Sequence, residues 1–197
     1  PQRETTIDLA DLVNDLEARG LQLPLLVRFS DIVDDRIRTI NECFGRASEE
    51  YGYEGRYQGV YPVKVNQQRH LIEEVVRYGQ RWDFGLEAGS KPELLIALAM
   101  AEGQGLIVCN GYKDLNYIET ALIAQQFERT VIVVLERLEE FEVVVRASEK
   151  LGIRPVLGVR AKLTAKGVGR WHSSSGDRAK FGLTSADLVE LVERLAR

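Results

Sequence analysis

The chain has 197 residues, with 26 Lys plus Arg against 30 Asp plus Glu for a net charge of −4, and it is 45% apolar and 28% charged. That length and composition allow one domain or at most two small ones with a buried core, and exclude a compositionally disordered chain. The mild acidity argues against a nucleic-acid footprint, no run approaches the roughly 18 apolar residues of a membrane span, and no signal-peptide pattern opens the chain.

After a polar N-terminal tail, short apolar runs alternate with stretches whose apolar residues recur at three- and four-residue spacing. The run Leu25–Phe29 precedes a helical pattern over Ile32–Tyr51. The turn-rich Tyr51-Gly52-Tyr53-Glu54-Gly55 then marks a boundary, so residues 1–50 read as an N-terminal segment and 51–197 as the main α/β body. Within that body, strands are predicted over Gly59–Val65, Asp83–Glu87, Leu106–Cys109, Val131–Leu135 and Pro155–Val159. Helices are predicted over Leu71–Tyr78, Pro92–Ala101, Leu115–Phe127, Leu138–Leu151 and Ala186–Leu195. Strand and helix in alternation mark βαβ units around a parallel sheet.

Local signals place several helix ends. Ser90-Lys91-Pro92-Glu93 offers an N-cap serine, an early proline and an early acid, and Thr184-Ser185-Ala186-Asp187 offers a second N-cap. Gly79 and Gly152 stand where a left-handed residue can close a helix. The stretch Leu163–Lys180, with its glycines and Ser173-Ser174-Ser175, exceeds the usual βα connection and reads as a mobile loop. The chain opens at Pro1, has its one methionine at Met100 and stops within an amphipathic pattern, so it reads as a piece of a longer protein.

Cys43 and Cys109 have no partners at metal-ligand spacing and form no disulfide framework, which suits a reducing cytoplasm. His70 and His172 likewise lack spaced partners and read as surface residues, and the basic Lys166, Arg170, Arg178 and Lys180 read as a solvated cluster. Gly167-Val168-Gly169 lacks the strand-to-helix setting of a dinucleotide fingerprint.

Ligands of parallel α/β folds bind at the carboxyl ends of the strands. Here the strand ends carry Lys64 and Asn66, Glu87 with Ala88-Gly89-Ser90, Asn110-Gly111, Glu136 and Arg160. Polar residues are common where strands meet solvent, so only the recurrence over five ends is suggestive. Lys64, within Val60-Tyr61-Pro62-Val63-Lys64-Val65-Asn66, reads as lying on a strand buried on both faces. Desolvation lowers an amine's pKa and makes it a nucleophile able to form a Schiff base. A strand-end lysine that reaches solvent over its packed stem explains the pattern equally well.

The stretch Tyr61-Pro62-Val63-Lys64-Val65-Asn66-Gln67 resembles the lysine motif of the pyridoxal-phosphate-dependent decarboxylases of the alanine-racemase-like barrel fold. Four further stretches resemble, more narrowly, the arginine-decarboxylating branch of that family. They are Gly85-Leu86-Glu87-Ala88-Gly89-Ser90-Lys91-Pro92-Glu93-Leu94, Val108-Cys109-Asn110-Gly111-Tyr112-Lys113-Asp114, Leu157-Gly158-Val159-Arg160-Ala161-Lys162-Leu163 and Lys180-Phe181-Gly182-Leu183. The resemblance implies a (β/α)8 TIM-type barrel, present here as a partial barrel, with an added β domain elsewhere. It implies pyridoxal 5'-phosphate as cofactor, with Mg2+ as a further ion and no residue of this chain assigned to metal. It also implies L-arginine as substrate, agmatine and carbon dioxide as products in polyamine and spermidine biosynthesis, and a cytoplasmic homo-oligomer, dimer or tetramer.

Residue by residue, the resemblance makes Lys64 the Schiff-base lysine, Glu87 an acid near cofactor and lysine, and Arg160 the arginine beside the cofactor ring. Asn110 and Asn66 would line the same mouth, and Lys180 falls in a motif near a dimer contact. Ser175 stands where glycine is commoner in the family, so the loop receives no contact. The stacking histidine, phosphate loop and pyridine acid that the family implies have no match in these residues, so the 197-residue chain alone is expected to be inactive. The alternatives are a related ornithine, lysine or diaminopimelate decarboxylase, or a non-catalytic pyridoxal-phosphate-binding barrel protein.

Overall fold

The computed structural model describes residues 6–127, 129–162 and 180–196. The loop expected over 163–180 lies, except for Lys180, outside the described residues, as do His172 and Ser175. The chain divides into two compact units, Pro1–Ser30 and Asp31–Arg197.

In the first unit, helix α1 spans Leu9–Ala18, a stretch read from the sequence only as a polar tail. Its start is fixed by Asp8, whose carboxylate accepts the N–H groups of Ala10 at 2.8 Å and Asp11 at 3.3 Å. None of its residues is buried. The run Leu25–Phe29 forms no strand, and Leu26 and Val27 are exposed. Apolar content alone does not make a strand, because the backbone groups need a neighbouring ladder and this run pairs with none.

The second unit is organised by five parallel strands: β1 (Val60–Pro62), β2 (Gly85–Ala88), β3 (Ile107–Cys109), β4 (Val131–Leu135) and β5 (Val156–Val159). They pair in sequence order, β1-β2-β3-β4-β5. A doubly wound sheet reverses its order at a switch point, whereas a barrel adds each strand beside the last. The sheet is therefore a barrel segment, and an isolated parallel bridge from Ala161 to Leu183 continues the same progression. Helix α2 (Ser30–Glu50) precedes the sheet. Helices α3 (Arg69–Gly79), α4 (Lys91–Met100), α5 (Leu115–Gln125) and α6 (Glu140–Leu151) connect the strands, and α7 (Ser185–Leu195) follows them.

One face of the sheet carries the core. Leu86, Ala88, Ile107, Cys109, Val131, Val133 and Leu135 cluster there with Ile72 of α3, Leu94 of α4, Ile118 and Leu122 of α5 and Val144 of α6. Burying each large aliphatic side chain contributes about 1.5–3 kcal/mol. The alternate positions of β4, Ile132 and Val134, are only partly buried and face the other way, toward the barrel interior.

The strand ends also correct two local expectations. Strand β1 stops at Pro62, and Val63–Val65 form a short 3-10 turn, so Lys64 is an exposed residue just beyond the strand rather than a buried strand residue. Proline brings no N–H to the ladder, which accounts for the early stop. Gly79 does not adopt a left-handed backbone: it ends α3 in the right-handed region, and a Cβ there would lie 2.6 Å from Phe84 Cβ, so close packing is what excludes a side chain. The left-handed residue is Asp83, at φ 50°. Gly152 at φ 66° and the Thr184–Asp187 capping box match the expectations.

Candidate functional site

The strand register decides which polar groups share a face. Glu87 pairs with Val108, Val108 with Ile132, and Val134 with Gly158. Side chains alternate along a strand, so Glu87, Asn110, Glu136 and Arg160 all take the interior side at the carboxyl end of the sheet. Lys64, two residues past Pro62, joins them. Together with Gly89, Glu93, Gly111, Tyr112 and Phe181 they line a cleft of about 350 Å³, within the range for small-molecule sites.

Asn110 Nδ2 donates to Glu87 Oε1 at 2.9 Å. Glu93 Oε2 accepts the Gly89 N–H at 2.7 Å, and Gln67 Nε2 donates to Glu93 Oε1 at 3.4 Å. The Ser90 side chain makes no cap bond, so the acid three residues on, expected as a helix-start residue only, instead holds the loop that follows Glu87. Behind this wall the buried Tyr117 hydroxyl donates to the Ala88 carbonyl at 3.0 Å. Burial pushes the Tyr117 hydroxyl well above its ordinary pKa and the Cys109 thiol up to about 11.

On the other wall, Glu136 Oε1 accepts the Gly111 N–H at 3.0 Å and Arg160 Nη1 at 3.3 Å. Gly111 sits at φ 75°, and a Cβ there would lie 2.2 Å from the Gly89 carbonyl oxygen, so glycine alone lets the N–H reach Glu136. Beneath lies an ion pair, with Lys113 Nζ 3.3 Å from Glu140 Oε2 and side-chain exposures of 0% and 5%. Glu140 Oε2 also accepts the Glu136 N–H at 2.8 Å, Glu140 Oε1 accepts the Lys113 N–H at 3.3 Å, and Lys113 Nζ donates to the Gly111 carbonyl. The buried lysine of this region is thus Lys113.

Lys64, Glu87, Asn110 and Arg160 therefore meet in one cleft. Asn66 does not line it: its side chain accepts the Gln68 N–H at 3.0 Å and turns the chain into α3. Lys180 is exposed, its ammonium 5.3 Å from the Phe181 ring, and it is Phe181 that reaches the cleft. His70 is exposed on the first turn of α3. Glu93 was read from the sequence only as a helix-start acid and Lys113 received no role, although both stand in stretches that carried the family wording. Their roles depend on partners that only folding brings close.

The cleft can be tested for pyridoxal phosphate on its unmatched atoms. Among the described residues, Glu87 Oε2 and Glu136 Oε2 are buried without a hydrogen-bond partner, an arrangement that a donor from a bound molecule would satisfy. Lys64 supplies an amine for the aldehyde carbon and Arg160 a cation for an anionic oxygen, so these residues fit the group. The backbone N–H groups of Gly89 and Gly111 are already engaged and leave no phosphate cradle between them. The described residues contain no group of three His, Cys, Asp or Glu side chains that could hold a metal ion, and no described helix is long and apolar enough to cross a membrane.

Comparison with known proteins bears on this geometry. A family model for the pyridoxal binding domain of pyridoxal-dependent decarboxylases matches residues 37–197. The biosynthetic arginine decarboxylase of Gloeobacter violaceus is 60% identical over 190 residues, which are 96% of this chain and 30% of that protein. The enzyme of the same name from Nostoc sp. is 57% identical over 194 residues, 98% of this chain and 29% of its own length. Among solved structures, the biosynthetic arginine decarboxylase of Campylobacter jejuni matches with a TM-score of 0.85 and 35% identity over 98% of this chain and 31% of its own. A diaminopimelate decarboxylase from M. jannaschi shares the fold, with a TM-score of 0.67 and 19% identity over 92% of this chain and 40% of its own. The chain thus spans about 30% of the length of the arginine decarboxylases it matches.

Proposed function

The chain belongs to the pyridoxal-dependent decarboxylases, whose pyridoxal binding domain it carries, and from that premise we propose that it serves the decarboxylation of L-arginine to agmatine and carbon dioxide. The observation that carries the reading is the convergence of Lys64, Glu87, Asn110 and Arg160 on one cleft at the carboxyl ends of the strands. The identity of 60% to an arginine decarboxylase supports L-arginine as the substrate. When bound, pyridoxal phosphate supplies the electron sink for the bond that loses carbon dioxide.

In this reading Lys64 would hold the cofactor covalently through its amine, and its exposure leaves that amine open to the cleft. Glu87, fixed by Asn110 through Oε1, keeps Oε2 as an acceptor beside Lys64 and can hold a proton there. Arg160 presents its guanidinium to an anionic oxygen of the cofactor. The described residues do not fit a metal, so no step passes through Mg2+. We also propose a homo-oligomer acting in the cytoplasm in polyamine synthesis, with the barrel portion starting at residue 51, where α2 has ended.

The test uses the natural full-length protein. Borohydride reduction with pyridoxal phosphate should fix the label on the peptide holding Lys64, and labelled L-arginine should release carbon dioxide in preference to ornithine, lysine and diaminopimelate. A label on another lysine overturns the site, preference for another amino acid overturns the substrate, and binding without turnover of any of the four identifies a non-catalytic binding protein.

A further inference from the structure

Arg160 forms a charged pair with Glu136 at the edge of the cleft. Its side chain is 52% exposed, and among the described residues it meets Glu136 Oε1 at 3.3 Å and the Phe181 ring, 5.9 Å away. Glu136 is the opposite case, at 1% exposure. Its Oε1 is pinned by the Gly111 N–H, its own backbone N–H is taken by Glu140, and Glu140 is neutralised by the fully buried Lys113. A buried, hydrogen-bonded carboxylate thus holds a half-exposed cation at the edge of the cleft. An exposed ion pair between two flexible side chains contributes little, because both lose rotamer freedom. Here one partner is ordered before the pair forms, so only Arg160 loses freedom.

We propose that Glu136 is a positioning residue, which acts through Arg160 by holding the guanidinium across the cleft mouth where the anionic part of pyridoxal phosphate is received. The proposal rests on the functional reading above for the identity of the ligand. Its mechanical part, the restraint of Arg160, does not. Glu136 Oε1 takes one donor of the guanidinium, Nη1, of the five N–H groups the fork carries. Glu136 Oε2 is buried and has no hydrogen-bond partner among the described residues. Lys113 and Glu140 belong to the frame, and their loss moves Glu136 with them.

Two measurements on the natural full-length protein test the inference separately from the functional reading. The first needs no cofactor: phenylglyoxal modification of Arg160, followed by peptide mass spectrometry in wild type, Glu136→Gln and Glu136→Asp. Glu136→Gln keeps an acceptor for Gly111 and removes the charge, and should raise the modification rate of Arg160 several-fold while other arginines keep theirs. Glu136→Asp should return it toward the wild-type value. An unchanged Arg160 rate in folded Glu136→Gln overturns the proposal.

The second measurement is a cycle of Glu136→Gln, Arg160→Met and the double variant, read by pyridoxal phosphate affinity from absorbance titration and by the pH at which the bound chromophore's absorbance changes. Each single substitution should weaken affinity by roughly tenfold, the loss of one charge-assisted hydrogen bond. The double variant should be no weaker than Arg160→Met alone, because Glu136 then has nothing to position. Additive losses would show that Glu136 acts independently of Arg160 and would overturn the proposal. Failure of the wild-type protein to take up pyridoxal phosphate defeats the functional reading and the ligand half of this inference, while the phenylglyoxal result still decides whether Glu136 restrains Arg160.

Discussion

The two ends of the same parallel sheet are closed by opposite means. At the amino ends, glycines allow close approach to backbone and ring: a Cβ on Gly85 would lie 2.1 Å from the Leu106 carbonyl oxygen, and one on Gly59 would lie 2.2 Å from the Phe84 ring. At the carboxyl ends, charged side chains meet one another through Glu87, Glu93, Glu136, Arg160 and the Lys113–Glu140 pair. At the first end the close approaches pack backbone and ring, with the exposed Arg56–Asp83 ion pair beside them. The second retains two buried carboxylate oxygens without partners among the described residues, a cost to folding that binding can offset. Substitutions should therefore separate by end: at the base they change stability and leave cleft chemistry intact, while at the mouth they change chemistry, and stability only where a charge is buried.

The largest expected effect is at the mouth and leaves stability alone. Lys64→Ala in the natural full-length protein should abolish the borohydride-fixed label and nearly all carbon dioxide release. Lys64 is exposed, so the variant's unfolding free energy from urea titration should stay within about 0.5 kcal/mol of wild type. A large loss of stability instead would place Lys64 among structural residues and break the division.

Next comes Lys113→Met, which removes the cation facing the 5% exposed Glu140. Breaking a buried pair from one side costs about 3–5 kcal/mol because the remaining charge is uncompensated. Lys113→Met combined with Glu140→Leu should recover much of the urea midpoint. Pyridoxal phosphate affinity should stay low in that double variant, because the Glu136 N–H has then lost its acceptor. Recovery of both would show that the pair supports the fold alone.

Gly85→Ala probes the base. The clash is with backbone, which cannot rotate away, and overpacking of this kind costs about 1–3 kcal/mol. The variant should unfold at lower urea and yet bind pyridoxal phosphate with wild-type affinity under conditions where it is folded. A weakened affinity in the folded protein would show that the two ends are mechanically coupled.

The sequence made the division partly legible. The 3.6- and 2-residue periods located six helices and five strands to within a few residues, because those elements are set by one buried face, and the strand ends pointed to the mouth. Which lysine is buried was not legible. Lys64 and Lys113 both follow short apolar runs, and the choice rests on Glu140, 27 positions from Lys113, and on Pro62, which stops β1 before Lys64 can enter it. Glu93 read as a helix-start acid until folding placed the Gly89 N–H against it. Helix α1 was missed although Leu9, Leu12, Val13 and Leu16 have helical spacing, whereas Leu25–Phe29 was overread because local composition cannot show the absence of a pairing neighbour.

The smallest expected effect lies beside the mouth but outside its buried network, and so separates location from burial. Thr184 caps α7 immediately after Leu183, whose N–H is bound to the Arg160 carbonyl at 2.7 Å. The Thr184 hydroxyl accepts the Asp187 N–H at 3.2 Å, and Asp187 accepts the Thr184 N–H at 2.8 Å. Loss of such a cap costs about 1 kcal/mol, so Thr184→Ala should shift the urea midpoint slightly and leave pyridoxal phosphate affinity unchanged. The Thr184 N–H, and then its hydroxyl, hold the Asp187 carboxyl below the usual carboxylate range. A carboxyl depressed in the folded state stabilises above its unfolded pKa, and that contribution disappears as pH falls through the folded value. Urea midpoints of wild type and Asp187→Asn should therefore differ at pH 7 and converge as pH drops below about 4. Convergence instead near neutral pH would assign the difference to another titrating group. Loss of cofactor affinity in Thr184→Ala would extend the mouth's chemistry to an exposed cap that does not line the cleft, and break the division between cleft-lining groups and their surroundings.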